Sequence, residues 1–217
     1  MKPYKVLVLD LDGTLVDSLP AIAQAASTAL VGAGLAATDV ESVRQNIGGG
    51  ARNLIERLLA RQGVSDQARI AQTLGAFADI YNGYAAAHTP LYPGAMATLR
   101  HLSGRLALTL ATAKARPATI AILEHLGVAG LFAQVVTMSE MRRPKPDPDC
   151  VRQILDGQGV EASQALLVGD TMTDVLTAAN AGLDMWAVSY GYGAAEVKAA
   201  GGYLRMIDSF DELRELA

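Results

Sequence analysis

Short apolar runs that stop at polar residues recur along this chain, and they constrain its fold more than any other feature. They are Val6-Leu7-Val8-Leu9, Leu106-Ala107-Leu108-Thr109-Leu110, Val135-Val136, Ala165-Leu166-Leu167-Val168 and Met185-Trp186-Ala187-Val188. A strand with one solvated face alternates apolar and polar residues, whereas a strand covered on both faces reads as an unbroken run. Helical spacings lie between the runs. Met96, Leu99 and Leu102 form one stripe, Ile120, Leu123 and Leu126 a second that stops at Gly127, and Val175, Leu176 and Ala179 a third that stops near Gly182. This alternation predicts an α/β fold, with right-handed crossovers building an open, parallel, Rossmann-like sheet flanked by helices on both faces.

One interval breaks the rhythm. Between Asp17 and His88 no strand pattern is found. Ile70, Leu74, Phe77, Tyr81 and Tyr84 recur at helical spacing, and Leu54, Ile55, Leu58 and Leu59 form another helical face. An all-helical domain over residues 17–89 is therefore expected, inserted into an α/β core of residues 1–16 and 90–217. The chain returns through Thr89-Pro90-Leu91-Tyr92-Pro93-Gly94, where two prolines stiffen the connection.

Bulk properties exclude several classes. The 217 residues carry a net charge of −4, which argues against a partner that is a nucleic acid. No apolar run is long enough to span a membrane, and the N-terminus has no apolar signal segment. Cys150 is the single cysteine, so no disulfide forms within the chain, as suits a reducing compartment. The expectation is a cytoplasmic protein, a monomer or weak homodimer.

Asp10-Leu11-Asp12-Gly13-Thr14 begins where the first run ends. In open α/β sheets, ligands bind beyond the carboxyl ends of the strands. Residues two apart in extended backbone face the same way, so Asp10 and Asp12 can address one substrate. Two ionised carboxylates ~4 Å apart repel by about 4 kcal/mol at an effective dielectric of ~20, so a cation or a proton must compensate. Taken alone, the pair reads first as solvated loop aspartates capping a helix.

Three further motifs follow in order. Thr112 comes just after Leu110-Ala111. Lys145 stands in Arg143-Pro144-Lys145-Pro146-Asp147-Pro148, and Gly169-Asp170-Thr171-Met172-Thr173-Asp174 follows Leu166-Leu167-Val168. Together with Asp10-Leu11-Asp12-Gly13-Thr14-Leu15-Val16-Asp17-Ser18 they resemble, over nearly the whole chain, the haloacid dehalogenase-like phosphatases with a helical cap inserted after the first motif.

The resemblance implies a Mg²⁺-dependent phosphatase acting on a small phosphorylated metabolite. Asp10 would be the nucleophile and form an aspartyl-phosphate. Asp12 would act as general acid and base, contacting the metal through its backbone carbonyl. Thr112, Ala113 and Lys145 would hold the phosphoryl group. Asp10, Asp12 and Asp170 would hold Mg²⁺, with Asp174 behind them. From the residues alone, Asp170 has a second reading as the cap of the helix near Met172, and Thr112 as a cap before Pro117. His88, His101 and His125 lack metal-ligand spacing, and Tyr190-Gly191-Tyr192-Gly193 reads as a loop.

Within the family, Gly169-Asp170…Asp174, Ser189-Tyr190-Gly191-Tyr192-Gly193 and Ile47-Gly48-Gly49-Gly50 resemble phosphoglycolate phosphatases. Gly49, Gly50 and Arg52 are the candidate specificity residues, with helix-end N–H groups and a guanidinium meeting a substrate carboxylate. Ala113 departs from the asparagine that many relatives carry after the threonine. Alternatives are a pyrophosphatase or a phosphosugar phosphatase or mutase of the same fold. The mutases resemble this chain but carry a histidine where Ile22 stands. A non-enzymatic phospho-acceptor signalling domain is disfavoured by the motif order and by the helical insertion.

Overall fold

The computed structural model describes residues 4–217. Met1 to Pro3, part of the N-terminal stretch read above, lie outside them. Among the described residues six parallel strands form one sheet in the order β3-β2-β1-β4-β5-β6. The strands are β1 (Val6–Leu9), β2 (Ala107–Ala111), β3 (Gln134–Val136), β4 (Ala165–Gly169), β5 (Asp184–Val188) and β6 (Arg205–Ile207). The unbroken runs have the expected cause. In β1, Leu7 and Leu9 enter one apolar cluster while Val6 and Val8 enter another on the opposite face, and all four are buried. The chain builds outward from β1 in one direction, then crosses back to β4 and builds outward in the other. The crevice at that reversal is where ligands bind in such sheets.

Helices α1 (Leu19–Gly32), α2 (Val40–Arg44), α3 (Gly50–Ala60) and α4 (Gln67–Tyr84) form the insertion, and α4 packs on α1 and α3. The spacing that predicted α4 is its packing face: Ile70, Phe77 and Tyr81 are buried, Leu74 and Tyr84 half-buried. Leu54, Ile55, Leu58 and Leu59 are all buried on α3. Asp39 and Asp66 start α2 and α4 by accepting the backbone N–H groups of Ser42 and Arg69. The core helices are α5 (Ala95–Leu102), α6 (Arg116–His125), α7 (Asp149–Gln158), α8 (Met172–Ala181) and α9 (Ala194–Ala200).

Two readings of pattern are corrected. The stripe on α8 is displaced: Val175 and Ala178 face the core beside Asp174 and Thr177, whereas Leu176 and Ala179 face solvent. Strand β6 escaped notice because Arg205 interrupts its apolar pattern. The guanidinium lies 4.8 Å from the Trp186 ring centre and pairs with Glu212 and Glu215, which lets a cation sit on an edge strand. No helix among the described residues is long and apolar enough to cross a membrane.

Candidate active site

Strand register assembles the site. Leu9 of β1 lies beside Leu110 of β2 and Val168 of β4. The next residues therefore bring Asp10, Thr112 and Asp170 to one edge of the sheet. The Asp10 N–H still donates to the Val168 carbonyl at 2.9 Å, and the Thr112 N–H to Val136 at 3.0 Å, so both residues are anchored by the ladder they leave. Beyond Asp12 the chain turns tightly. Gly13 has φ +87°, and the N–H groups of Thr14, Leu15 and Val16 all point to the Leu11 carbonyl.

Lys145 is the hub. Its ammonium donates to Asp10 Oδ1 at 2.9 Å and to Asp174 Oδ1 at 2.8 Å, and its side chain is 2% exposed. Burial opposes its charge, but Asp10 and Asp174 outweigh burial and hold it protonated well above the usual lysine range. Asp170 is fixed separately. Thr14 donates its hydroxyl to Oδ1 at 3.0 Å, and the Tyr192 and Gly193 N–H groups donate to Oδ2. The capping threonine of α8 is Thr171, whose N–H and hydroxyl both donate to Asp174. Asp170 is thus not the cap of α8, nor Thr112 the cap of α6, which starts after Ala115.

One oxygen from each of Asp10, Asp170 and Asp174 lies within 4.8 Å of the others. Burial drives the Asp10 carboxyl well above its ordinary pKa, against the pull of Lys145. Burial, and next the Asp174 charge, push Asp170 up to about 7. Crowded, buried carboxylates of this kind lack positive charge, and an all-oxygen donor set suits a hard divalent cation. The residues present therefore fit such an ion.

Asp12 looks elsewhere. Its carboxylate accepts from the Ser18 hydroxyl and lies 3.0 Å from the Lys114 ammonium. Lys114 also donates to the Tyr81 hydroxyl of α4 at 2.7 Å, so one buried cation bridges the α/β core and the helical insertion. Sequence reasoning missed it: a lone lysine between Ala113 and Ala115 carries no pattern. Its place two residues after Thr112, at a strand end, was the available signal.

These groups border a cavity of about 170 Å³. Asp10, Asp12, Thr112, Ala113, Lys114 and Lys145 line it on the core side. The insertion supplies an apolar wall including Ile22, Leu54 and Phe77, with Gly49 and Gly50 at the start of α3. Gly50 has φ +88°, and a Cβ there would come within 3.3 Å of the Ala113 carbonyl, so the two parts meet closely at this point. Arg52 does not line the cavity: it pairs with Glu56 at 3.2 Å and is 57% exposed.

The sequence marks the 190–193 segment as a loop and as part of the phosphoglycolate phosphatase resemblance. The segment also supports the site through backbone donors, which a sequence does not display. The Tyr192 hydroxyl accepts from the N–H groups of Ser18 and Leu19 at the start of α1 and donates to Asp17. A Cβ on Gly191 would collide with the Asp170 side chain. Gly191→Ala is expected to push this loop away and to weaken divalent-metal binding by about 10- to 100-fold, the usual effect of losing a ligand's supporting partner. Metal titration by calorimetry checks this; unchanged affinity would show that the loop does not support Asp170.

Comparison with known proteins agrees with this geometry. The family described as haloacid dehalogenase-like hydrolase matches residues 7–188. Phosphoglycolate phosphatase of Rhodospirillum rubrum is 39% identical, with 96% of this chain and 89% of that protein covered. Phosphoglycolate phosphatase of Vibrio parahaemolyticus is 34% identical, with 98% and 95% covered. A crystal structure of a predicted phosphoglycolate phosphatase from Haemophilus somnus superposes with a TM-score of 0.90 at 24% identity, covering 100% of this chain and 99% of that one, which is a likeness of fold. With its motifs at the ends of β1, β2 and β4 and in the loop before α7, the chain belongs to the haloacid dehalogenase-like hydrolases.

Proposed function

We propose that this protein is a Mg²⁺-dependent phosphomonoesterase that cleaves a small phosphorylated metabolite, 2-phosphoglycolate, through an aspartyl-phosphate, an acyl phosphate, on Asp10. One observation carries the reading: the Asp10 carboxylate lies at the cavity edge, against the Lys145 ammonium and beside the oxygens of Asp170 and Asp174. Folding alone does not favour a buried cluster of this kind, whereas phosphoryl transfer requires it. The 2-phosphoglycolate assignment draws on the named relatives. We take residues 17–89 as the cap and the remainder as the catalytic core of a cytoplasmic enzyme, a monomer or weak homodimer.

In the first step the Asp10 carboxylate attacks phosphorus, and Asp12 gives its proton to the departing oxygen of the metabolite. In the second, Asp12 takes a proton from water, which attacks the phosphoryl group and releases phosphate and free Asp10. Thr112 and the backbone at Ala113 hold phosphoryl oxygens, and Lys145 offsets their charge. Asp10, Asp170 and the Asp12 carbonyl would hold Mg²⁺, with Asp174 fixing Lys145 behind them. The ion supplies charge neutralisation and alignment of the phosphoryl oxygens. The apolar Ile22 in the cavity wall offers no proton-transfer group from the cap, which favours water as the final acceptor over a sugar hydroxyl.

A phosphate-release panel of 2-phosphoglycolate, pyrophosphate, sugar phosphates and nucleoside monophosphates tests this. The highest kcat/KM is expected for 2-phosphoglycolate, with a loss of about a thousand-fold or more in excess EDTA. Full activity in EDTA would contradict the metal role, and a preference for pyrophosphate would contradict the substrate. Because burial and the Asp174 charge push Asp170 up to about 7, Mg²⁺ binding is expected to displace a proton there. Apparent Mg²⁺ affinity is therefore expected to fall as pH drops below about 7.

A further inference from the structure

We infer that Lys114 is the specificity cation of this enzyme: it binds a carboxylate carried by the leaving group, one carbon from the ester oxygen. The inference rests on the phosphomonoesterase reading above and names the feature of the substrate that the site selects.

A carboxylated phosphomonoester has two anionic ends, and a confined, largely apolar cavity needs a cation for each. At the phosphoryl end Lys145 is committed to Asp10 and Asp174. Among the described residues that line the cavity, the other cation is Lys114. Arg52, which the sequence offered for this task, is turned to solvent against Glu56.

Position favours the same assignment. The ammonium of Lys114 is 3.0 Å from Asp12 Oδ1. Asp12 is the group that must touch the ester oxygen, so Lys114 stands beside the bond that breaks. In a substrate such as 2-phosphoglycolate, a single carbon separates that oxygen from the carboxylate, which places the second charge within reach of the same ammonium.

The donor count also fits. An ammonium has three N–H donors. Lys114 spends one on Asp12 and one on the Tyr81 hydroxyl, and it lies 4.5 Å from the Tyr81 ring centre. One donor remains for a ligand. Tyr81 comes from the insertion and Lys114 from the core, so a bound carboxylate would also strengthen the junction between them.

The test compares 2-phosphoglycolate with 2-hydroxyethyl phosphate, a neutral-tailed analogue of similar length, in the Mg²⁺-loaded enzyme. Wild type is expected to prefer the carboxylated ester by about a hundred-fold in kcat/KM. Lys114→Met is expected to bring that ratio close to one, mainly through KM for the carboxylated ester. Lys114→Gln, which keeps polar contact with Asp12 and Tyr81 without the charge, provides the same comparison in a site that needs less repacking. The ratio is taken within each protein, so a change in folded fraction cancels. A ratio that survives in Lys114→Gln overturns the inference, as does an equal loss for both esters, which would make Lys114 a positioning residue for Asp12. If wild type cleaves neither ester, the phosphomonoesterase reading itself fails, a result distinct from either of these.

Discussion

Asp10→Asn is expected to lose about four orders of magnitude or more in kcat while remaining folded. An amide is a far weaker nucleophile than a carboxylate, and loss of the covalent route removes the step on which both halves of the reaction depend. The fold should tolerate the change. Asp10→Asn removes one of two anionic partners of Lys145, but Asp174 still pairs with that ammonium at 2.8 Å and one crowded, buried carboxyl is relieved, so the two effects offset. The metal-free variant is expected to melt close to wild type, measured by calorimetry beside steady-state phosphate release. Near-normal hydrolysis by a folded Asp10→Asn protein would rule out Asp10 as the nucleophile.

The second large effect is expected at Lys145. Lys145→Met removes the ammonium that bridges Asp10 and Asp174 while leaving both carboxylates in place. Breaking a buried ion pair from one side costs about 3–5 kcal/mol, because the remaining charge keeps its desolvation penalty. For a chain of this length that lowers Tm by roughly 6–20 °C. The sign of the pH dependence follows from the carboxyls. Asp10 and Asp170 already sit above their ordinary pKa, and removing Lys145 raises Asp10 further. Such groups bind protons in the folded state that the unfolded chain has released, so stability falls as pH rises above the unfolded carboxylate pKa. The penalty of Lys145→Met is therefore expected to be smallest near pH 5 and to grow toward pH 8. kcat should fall by about 10²- to 10³-fold through lost stabilisation of the transferring phosphoryl group. An unchanged melting curve at pH 8 would show that Lys145 is not the charge that holds the cluster together.

Much of this architecture was legible because burial on both faces leaves a plain mark. Val6–Leu9 has no polar alternation, and both of its faces are covered. The same logic exposed the helical insertion, since Ile70, Phe77 and Tyr81 repeat only where one side of a helix is covered. It failed where an element is short and carries a charge, as at Arg205, and where alanine blurs a stripe, as on α8. At the site, Asp10, Thr112, Lys145 and Asp170 could be read because four motifs in order, at strand ends and in a proline-bounded loop, resemble those of a known family. Lys114 carried only its place near a strand end, because its importance comes from Tyr81, a residue of the insertion that only the folded chain brings near. The support of Asp170 by the 192–193 backbone could not be read, because every residue but proline carries an N–H.

The covalent intermediate on Asp10 is the central claim, and trapping it is its most direct test. An aryl phosphate, whose leaving group departs without a proton, should phosphorylate an Asp12→Asn variant that is then slow to activate water. Acid quenching within one turnover, followed by peptide mass spectrometry, is expected to find one phosphoryl group on the peptide containing Asp10 and at that side chain. Release of the phenol in a single turnover with no phosphorylated peptide, or with the phosphoryl group on another residue, would contradict the account.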